Sequence, residues 1–334
     1  MQKIGFTTTL PVEILLASGA TPVDLNNIFV SHPQTRDLIL RAEADGYPRN
    51  LCSWIKGIYG AVMELKPVDK LVIVTEGDCS NTTSMLETFR MTGAIPILTF
   101  NFPYDRDRAR LESEMKRLAL ELGTTLEAAE QIRLSLVPLR RKLRLLDEWT
   151  WNTGQVTGGE NHAWLVSSSD FGGDPAQFEE NLDQFLDQAN ARIPRVSGLR
   201  LAFAGVPPIF PELYEYLASQ GARVILNEMQ RQFSMPYNSP CLIDQYLEYT
   251  YPYDVFFRLA SLKEEVEKRK AQGLIHYVQS FCHRGIEDMI LRRKIPVPVL
   301  TLEGDAPGPL DARTRLRIDT FLEMISQRSG LSFD

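Results

Sequence analysis

Short apolar runs rich in Val, Ile and Leu alternate along this chain with stretches of helical periodicity. Strands that alternate with helices in this way are typical of a parallel sheet covered by helices on both faces. In the first part of the chain, strands are predicted near residues 3–7, 21–25, 70–75 and 95–100. Helices are predicted near residues 11–18, 33–45, 53–66 and 82–92. This pattern predicts an N-terminal α/β domain over residues 1–103.

The middle of the chain, residues 104–195, has a different composition. Its first half is rich in Arg, Glu and Leu with helical periodicity, which predicts an inserted pair of helices, the second capped by Thr124 or Thr125. The polar, Gly-rich segment WNTGQVTGGENHAW at 151–164 predicts a loop, and the Asp-Pro pair at 174–175 predicts the start of a further helix. We therefore expect a mainly helical insertion and linker in this region.

The alternation of strands and helices returns after residue 196. Strands are predicted near residues 199–204, 222–227, 273–280 and 297–302. Helices are predicted near residues 210–219, 253–272, 284–293 and 312–327. The predicted fold class is α/β, with two doubly wound parallel-sheet domains of Rossmann or flavodoxin type and a helical insertion between them. The second of these domains is predicted over residues 196–334.

Composition and charge exclude several functions for this chain of 334 residues. Its net charge of −7 argues against nucleic-acid binding, which normally requires a basic face. No apolar run reaches the ~18 residues that indicate a membrane-spanning helix, and the first residues lack the pattern of a signal peptide. We therefore expect a cytoplasmic protein that neither crosses a membrane nor binds nucleic acid. The Gly-rich segments lack the context and the Lys-Ser/Thr ending of a phosphate-binding loop, so we expect no ATP bound by this chain itself.

The residues that best indicate a functional site are the four cysteines, Cys52, Cys79, Cys241 and Cys282. Cys79 follows the run LVIVTEGD and Cys282 follows LIHYVQSF, so both lie where a parallel strand ends and ligands commonly bind. Cys52 lies at a predicted helix start, where free N–H groups and the helix dipole favour a thiolate. Three thiolates suit zinc or an iron–sulfur cluster. Spacing alone, without the paired C-x-x-C of structural zinc sites, leaves open that each is a small buried apolar residue.

Four stretches of the sequence resemble the 2-hydroxyacyl-CoA dehydratase family, which includes ATP-dependent benzoyl-CoA reductase subunits and double-cubane cluster proteins. The stretches are PVEILLASGATPVDLNNIF at 11–29, LCSWIKGIYG at 51–60, TEGDCSNTT at 75–83, and SFCHRGIEDMILRRKIPVPVLTLEGDAPGPLDARTRLRIDTFLEMI at 280–325. The last stretch is the most specific, and the likeness is weakest in the middle region. The resemblance covers nearly the whole chain.

The resemblance implies that Cys52, Cys79 and Cys282 hold a [4Fe-4S] cluster, with one iron position left for water, another small ligand or substrate. It implies that a separate ATP-dependent activator protein, with its own [4Fe-4S] cluster, delivers one low-potential electron. This electron would turn an acyl-CoA thioester into a ketyl radical that eliminates water. Further expected partners are the acyl-CoA substrate and a homologous subunit or a second copy of this chain. Cys241 matches none of the three positions and is expected to be structural, or else to help hold a bridged double cubane.

Three activities remain open at this point. The first is a 2-hydroxyacyl-CoA dehydratase. The second is a reductase of the same family, acting on an aromatic acyl-CoA or on small molecules at a double cluster, and the third is a non-catalytic electron-transfer or cluster-holding protein. No catalytic residue is identified; Ser53 beside Cys52 and His283 beside Cys282 are the candidates. His162, in the Gly-rich segment, is either a substrate contact or part of a plain surface loop.

Overall fold

The computed structural model describes residues 1–329, and the first part of the chain forms a four-stranded sheet. Its strands are β1 Lys3–Phe6, β2 Thr21–Asp24, β3 Lys70–Glu76 and β4 Ile97–Asn101. All pairs are parallel, and the order across the sheet is β2-β1-β3-β4. After β1, the chain adds β2 on one side of it and then β3 and β4 on the other side. The direction of strand addition therefore reverses between β1 and β3. Such a switch point opens a crevice outside the carboxyl ends of the strands.

The helices that connect these strands are α1 Val12–Ala17, α2 Leu25–Ser31, α3 Thr35–Ala44, α4 Ser53–Gly60 and α5 Ser80–Thr92. Helix α4 packs unusually close to its neighbours because it carries two glycines at the contacts. A Cβ on Gly57 would overlap the Phe29 ring of α2, and one on Gly60 would overlap the Leu38 carbonyl of α3. The absence of side chains at these two positions lets the backbones approach and fixes where α4 begins.

The part of the chain that follows β4 contains four helices: α6 Arg108–Glu121, α7 Leu126–Trp151, α8 Gly158–Ser167 and α9 Pro175–Asn190. The predicted helical pair corresponds to α6 and α7, and the Ala128 N–H donates to the Thr125 hydroxyl at 3.2 Å. The loop predicted over 151–164 is wrong in its second half, which starts α8. The reason is a capping box: the Glu160 N–H donates to the Thr157 hydroxyl at 3.2 Å, and the Thr157 N–H donates to the Glu160 carboxylate at 2.9 Å.

The last part of the chain forms a second parallel sheet with the same connectivity as the first. Its strands are β5 Leu199–Gly205, β6 Ala222–Asn227, β7 Gly273–Val278 and β8 Val299–Glu303, in the order β6-β5-β7-β8. The helices here are α10 Leu213–Ser219, α11 Glu228–Phe233, α12 Leu242–Glu248, α13 Val255–Lys268, α14 Arg284–Lys294 and α15 Ala312–Ser329. The third strand of each sheet, β3 and β7, therefore occupies the same place in the topology.

The chain folds into two compact units, and each unit is assembled from separated segments. The first unit comprises residues 1–141, 167–181 and 233–254, and the second comprises 142–166, 182–232 and 255 onward. Each unit contains one parallel sheet with helices around it, which confirms the predicted α/β class. The predicted domain limits near residues 103 and 195 stay a prediction.

A buried ion pair holds together the separated segments of the first unit. Glu13 of α1 is fully buried, and its carboxylate accepts hydrogen bonds from Arg140 of α7 at 2.6 Å and from Gln245 of α12 at 2.7 Å. The Tyr246 hydroxyl donates to its second oxygen at 2.8 Å. Burial raises the pKa of Glu13, but the charge of Arg140 and the hydrogen bond from Gln245 outweigh burial and lower it overall. The acid is therefore ionised and paired inside the unit.

The second unit contains its own buried charge network. Arg269, which follows α13 and is 1% exposed, donates to both oxygens of Asp147 of α7 at 2.9 and 2.6 Å. It also donates to Glu265 at 2.7 Å, and Arg231 lies 3.2 Å from both acids. Burial raises the pKa of Asp147, but the charge and hydrogen bonds of Arg269, the charge of Arg231 and a hydrogen bond from Asn161 together outweigh burial and lower that pKa overall. The network connects the end of α7 to the second unit's core.

Replacing Glu13 by Gln should destabilise the first unit strongly. The substitution keeps the shape of the side chain but leaves the buried Arg140 charge without its anion, which costs about 3–5 kcal/mol. Urea unfolding at pH 7 measures the loss. The matched control is Glu112→Gln, which breaks an ion pair with Lys116 whose side chains are 61% and 35% exposed. That control should lose less than about 1 kcal/mol, and equal losses in the two variants would contradict the role given to Glu13.

Candidate functional site

Cys79 lies three residues beyond the end of β3, at the N-cap of α5. Gly77, which begins the turn, has φ +95°, and a Cβ there would lie 2.7 Å from Pro252 and 2.8 Å from Phe102. Asp78 then fixes the cysteine: one carboxylate oxygen accepts the Cys79 N–H at 2.8 Å, and the other accepts the Thr82 hydroxyl at 3.1 Å. The turn therefore depends on a glycine and holds Cys79 at the carboxyl edge of the sheet.

The surroundings of the Cys79 thiol are partly apolar and partly negative. The residue packs against the apolar core of the first unit, and its sulfur lies 3.7 Å from the Thr82 hydroxyl. Burial raises the pKa of the Cys79 thiol, and the neighbouring Asp78 charge raises it further, while hydrogen bonds from Thr82 oppose both effects in part. The free N–H groups of the first turn of α5 point toward the same end of the helix as the thiol.

Cys52 occupies the equivalent position on another helix, as the N-cap of α4. It packs against the same apolar core as Cys79, and its carbonyl accepts the Lys56 N–H at 3.2 Å. The first turn of α4 is buried, with Ser53 at 1% exposure. The indole N–H of Trp54 is buried and makes no hydrogen bond within residues 1–329. A donor of this kind, two residues from a cysteine, suits a negatively charged group bound nearby.

Cys282 lies in the second unit, four residues beyond the end of β7. Its N–H donates to the Gln279 carbonyl at 3.1 Å, and its own carbonyl accepts the Gly285 N–H at 2.9 Å. Phe281, just before it, has φ +57°. Strand β7 is the third strand of its sheet, as β3 is of the first, so Cys282 and Cys79 follow topologically equivalent strands.

The structure brings two of the predicted ligands, Cys52 and Cys79, onto one core, and places Cys282 in the other unit. Within residues 1–329, no three or more His, Cys, Asp or Glu side chains are grouped so as to hold a metal ion. The donor set nevertheless has the chemistry of a cluster site, because all three thiols are partly accessible and each begins or precedes a helix. The assignment of these three residues as ligands stays a prediction.

Cys241 has a different environment, at the N-cap of the short helix α12 in the first unit. Its thiol donates to the Asp244 carboxylate at 3.1 Å, and the Arg108 guanidinium lies 3.5 Å from its sulfur. Arg108 also pairs with Asp244. The sulfur is thus engaged with two charged side chains.

The two candidate catalytic residues differ in access. Ser53 is buried, whereas His283 is exposed at the N-cap of α14. His162 lies on α8 rather than in a surface loop, where its ring is half-buried and stacks on Tyr214 at 5.0 Å between ring centres.

Sequence reasoning missed a pair of buried acids in the first unit. Asp24, the last residue of β2, accepts the Ser169 hydroxyl at 2.6 Å, and its N–H donates to the Asp170 carboxylate at 2.7 Å. Burial raises the pKa of Asp170 to about 7, and the charge of Asp24 adds to the shift. Burial also raises the pKa of Asp24. An acid at a predicted strand end was visible in the sequence, but its partner, 146 residues away, was not.

A small polar cavity of about 190 Å³ also lies in the first unit, near the carboxyl ends of β3 and β4. It is lined by Glu76, Asn101, Pro103, Arg110, Ser113 and Glu114. Arg110 pairs with Glu76 at 3.3 Å, and Asn101 donates to Glu114 at 3.2 Å. The polar lining is therefore largely engaged in its own contacts.

Comparison with known proteins identifies the family. The model of the 2-hydroxyglutaryl-CoA dehydratase, D-component, family matches residues 7–325, nearly the whole chain. The chain belongs to this family and is a component of the 2-hydroxyacyl-CoA dehydratase type, which confirms the resemblance read from the sequence.

Two further comparisons add little. No curated protein matches the chain significantly. A solved structure, the SBP FpvC from Pseudomonas aeruginosa in complex with Mn2+, is 14% identical over 98% of this chain and 99% of that one. Its TM-score of 0.25 is too low to support any argument. Separately, every helix within residues 1–329 is too short or too polar to cross a lipid bilayer.

The acid pair makes the stability of the first unit depend on pH. Folded Asp170, with its pKa of about 7, keeps a proton that the unfolded chain, with a value of 3.8, has already released. Stability should therefore fall as pH rises from about 4 to about 7, with a slope of up to about 1.4 kcal/mol per pH unit.

The two carboxyl oxygens of Asp170 accept the backbone N–H groups of Asp24 at 2.7 Å and Gly172 at 2.9 Å. The variant Asp170→Asn should therefore be less stable than the native chain at pH 5, because its amide has only one acceptor oxygen. It should also show a smaller decline between pH 5 and pH 8. Thermal unfolding at a series of pH values measures both, with Asp183→Asn, a half-exposed acid, as the control. An unchanged slope in Asp170→Asn would show that another group causes the dependence.

Proposed function

We propose that this chain is the iron–sulfur component of a 2-hydroxyacyl-CoA dehydratase, with Cys52, Cys79 and Cys282 holding a [4Fe-4S] cluster. The observation that carries the proposal is the family match over residues 7–325, together with thiols at strand ends and helix starts in both units. The family is known for iron–sulfur clusters. Soft thiolate donors from dispersed positions suit such a cluster better than a structural zinc ion.

A cluster held by Cys52, Cys79 and Cys282 would supply one low-potential electron, received from an ATP-dependent activator, for the ketyl-radical elimination of water from the acyl-CoA thioester. The chain's own residues hold and tune the site. Gly77 and Asp78 fix the backbone of Cys79, and the first-turn N–H groups of α4 and α5 stabilise negative sulfur. The Asp78 carboxylate beside Cys79 disfavours added negative charge, so it would lower the reduction potential of a cluster held there.

Cys241 supports a single cluster rather than a bridged pair. Its sulfur is hydrogen-bonded to Asp244 and lies beside Arg108, so it has a structural role without iron. We therefore propose that Cys241 is not a ligand. The partners in this proposal are the activator, the acyl-CoA substrate, and a homologous subunit or a second copy of the chain.

The variant Cys79→Ser, purified without oxygen, should lose most of its iron, its sulfide and its cluster absorbance. The hydroxyl is a poor ligand for iron, whereas the hydrogen bonds of Asp78 that shape the turn remain, so circular dichroism should be unchanged. The matched control is Cys241→Ser, which should keep native iron content. Full retention of iron in Cys79→Ser, or equal loss in Cys241→Ser, would refute the ligand assignment.

An activity assay should identify the class of reaction. The iron-loaded chain, with activator, ATP, a strong reductant and its partner subunit, is offered a 2-hydroxyacyl-CoA, benzoyl-CoA or acetylene in separate reactions. We expect water elimination from the 2-hydroxyacyl-CoA alone, measured as the enoyl-CoA product. Reduction of benzoyl-CoA or acetylene would instead assign a reductase. A cluster that is reduced with no turnover of any substrate would assign an electron-transfer protein.

A further inference from the structure

A second polar site lies in the second unit, where α8 meets the carboxyl end of β6. Asn161 of α8 is fully buried and donates to the Thr150 hydroxyl at 3.1 Å. Asn227, the last residue of β6, donates to the Asn161 side-chain oxygen at 2.8 Å and accepts the Tyr214 hydroxyl at 2.7 Å. This network fixes the first turns of α8, so the next residue, His162, has a defined position.

His162 and Gln230 form a pair joined by one hydrogen bond. His162 Nδ1 lies 3.1 Å from the side-chain nitrogen of Gln230, and the imidazole stacks on Tyr214. Gln230 is fully buried on α11, three residues beyond the end of β6. Its Oε1 is buried and has no hydrogen-bond partner in the described part of the chain. His162 Nε2 also makes no hydrogen bond within residues 1–329, but it is not among the buried atoms, so solvent reaches it.

The unpaired Gln230 Oε1 is an exception in folded proteins, because buried polar atoms are normally paired. Burial lowers the pKa of His162 to about 4, so the ring is neutral at pH 7. Nδ1 then accepts from Gln230, and Nε2 carries the hydrogen. The pair therefore presents one donor, His162 Nε2–H, and one acceptor, Gln230 Oε1. If the nitrogen and oxygen of the Gln230 amide exchange places, His162 Nε2 becomes the acceptor and the Gln230 nitrogen becomes the donor. One donor and one acceptor are still left without a partner.

A ligand that satisfies both atoms must itself donate and accept a hydrogen bond. A carboxylate or phosphate only accepts and an ammonium only donates, so neither suits a neutral donor–acceptor pair. A secondary amide or a hydroxyl does both. The location agrees with a ligand role, because the carboxyl ends of parallel strands are where such sheets bind ligands.

We propose that His162 and Gln230 bind a neutral donor–acceptor group of the CoA thioester, either an amide of the pantetheine arm or the hydroxyl of the acyl chain. This inference rests on the proposed function, since it takes the acyl-CoA as the ligand. The pair acts in binding and positioning, and nothing in it requires a covalent step.

The test measures binding by calorimetry on iron-loaded protein, with free CoA, butyryl-CoA and 2-hydroxybutyryl-CoA as probes. The variants are Gln230→Leu, which removes the acceptor, and His162→Phe, which keeps the ring on Tyr214 but removes the donor. Each should weaken binding about 10-fold, equivalent to about 1.4 kcal/mol. The control Met229→Leu changes an equally buried apolar residue on the same helix and should bind as the native chain does.

The probes distinguish the two sources of the ligand group. A 10-fold loss already seen with free CoA assigns the amide, whereas a loss confined to 2-hydroxybutyryl-CoA assigns the hydroxyl. The double variant should lose little more than either single variant, because both side chains contact one group. Full additivity of the two losses would overturn the single-group site.

Failure of this inference is distinguishable from failure of the proposed function. If both variants bind all three probes as tightly as the native chain, the pair holds only a water molecule and the inference is overturned, while iron content and turnover still support the function. If the native chain itself binds no CoA thioester, both proposals fall. The two variants lie on different helices, and thermal unfolding of each shows whether a loss of binding reflects loss of fold.

Discussion

The first unit depends on one buried carboxylate, Glu13. Its partners come from two stretches that are far from α1 in sequence, the middle of α7 and the middle of α12. A buried charge is tolerated only when it is fully paired. The unit is therefore stable only when Arg140, Gln245 and Tyr246 all contact Glu13. This requirement explains why residues 233–254 belong with the first sheet although they follow β6 in the chain. The apolar core supplies the driving force, and the ion pair selects which segments assemble around it.

The two parallel sheets give both units the same kind of edge. Each third strand ends in a short turn, then a cysteine, then a helix, as seen after β3 and after β7. In parallel sheets, ligands commonly bind at this edge, where the turns lie. The family model matches nearly the whole chain, so it spans both of these strand ends.

Much of the fold was predictable from the sequence for a simple reason. Strand β3 is a continuous apolar run whose Leu71–Val74 segment is fully buried, and such runs identify parallel strands directly. Helix α8 was missed because two glycines and several polar residues outweighed the capping box of Thr157 and Glu160. Helix α12 was missed because a short helix depends on tertiary contacts that no local pattern contains.

The candidate site could be predicted from the sequence only in part. Positions at a helix start and at strand ends made Cys52, Cys79 and Cys282 candidates, and the family resemblance made them predicted ligands. The structure places Cys52 and Cys79 on one core. The pairing of Asp24 with Asp170, and of His162 with Gln230, joins residues 146 and 68 positions apart. Contacts at such separations follow from the fold, so they could be found only once the fold was known.

The bonds that shape the turn around Cys79 are made wholly by protein atoms. The Asp78 carboxylate accepts hydrogen bonds from the Cys79 N–H and from the Thr82 hydroxyl, so one side chain defines the turn that presents the thiol. If Cys79 is a cluster ligand, as proposed above, its turn would already be formed in the folded chain before a cluster is inserted.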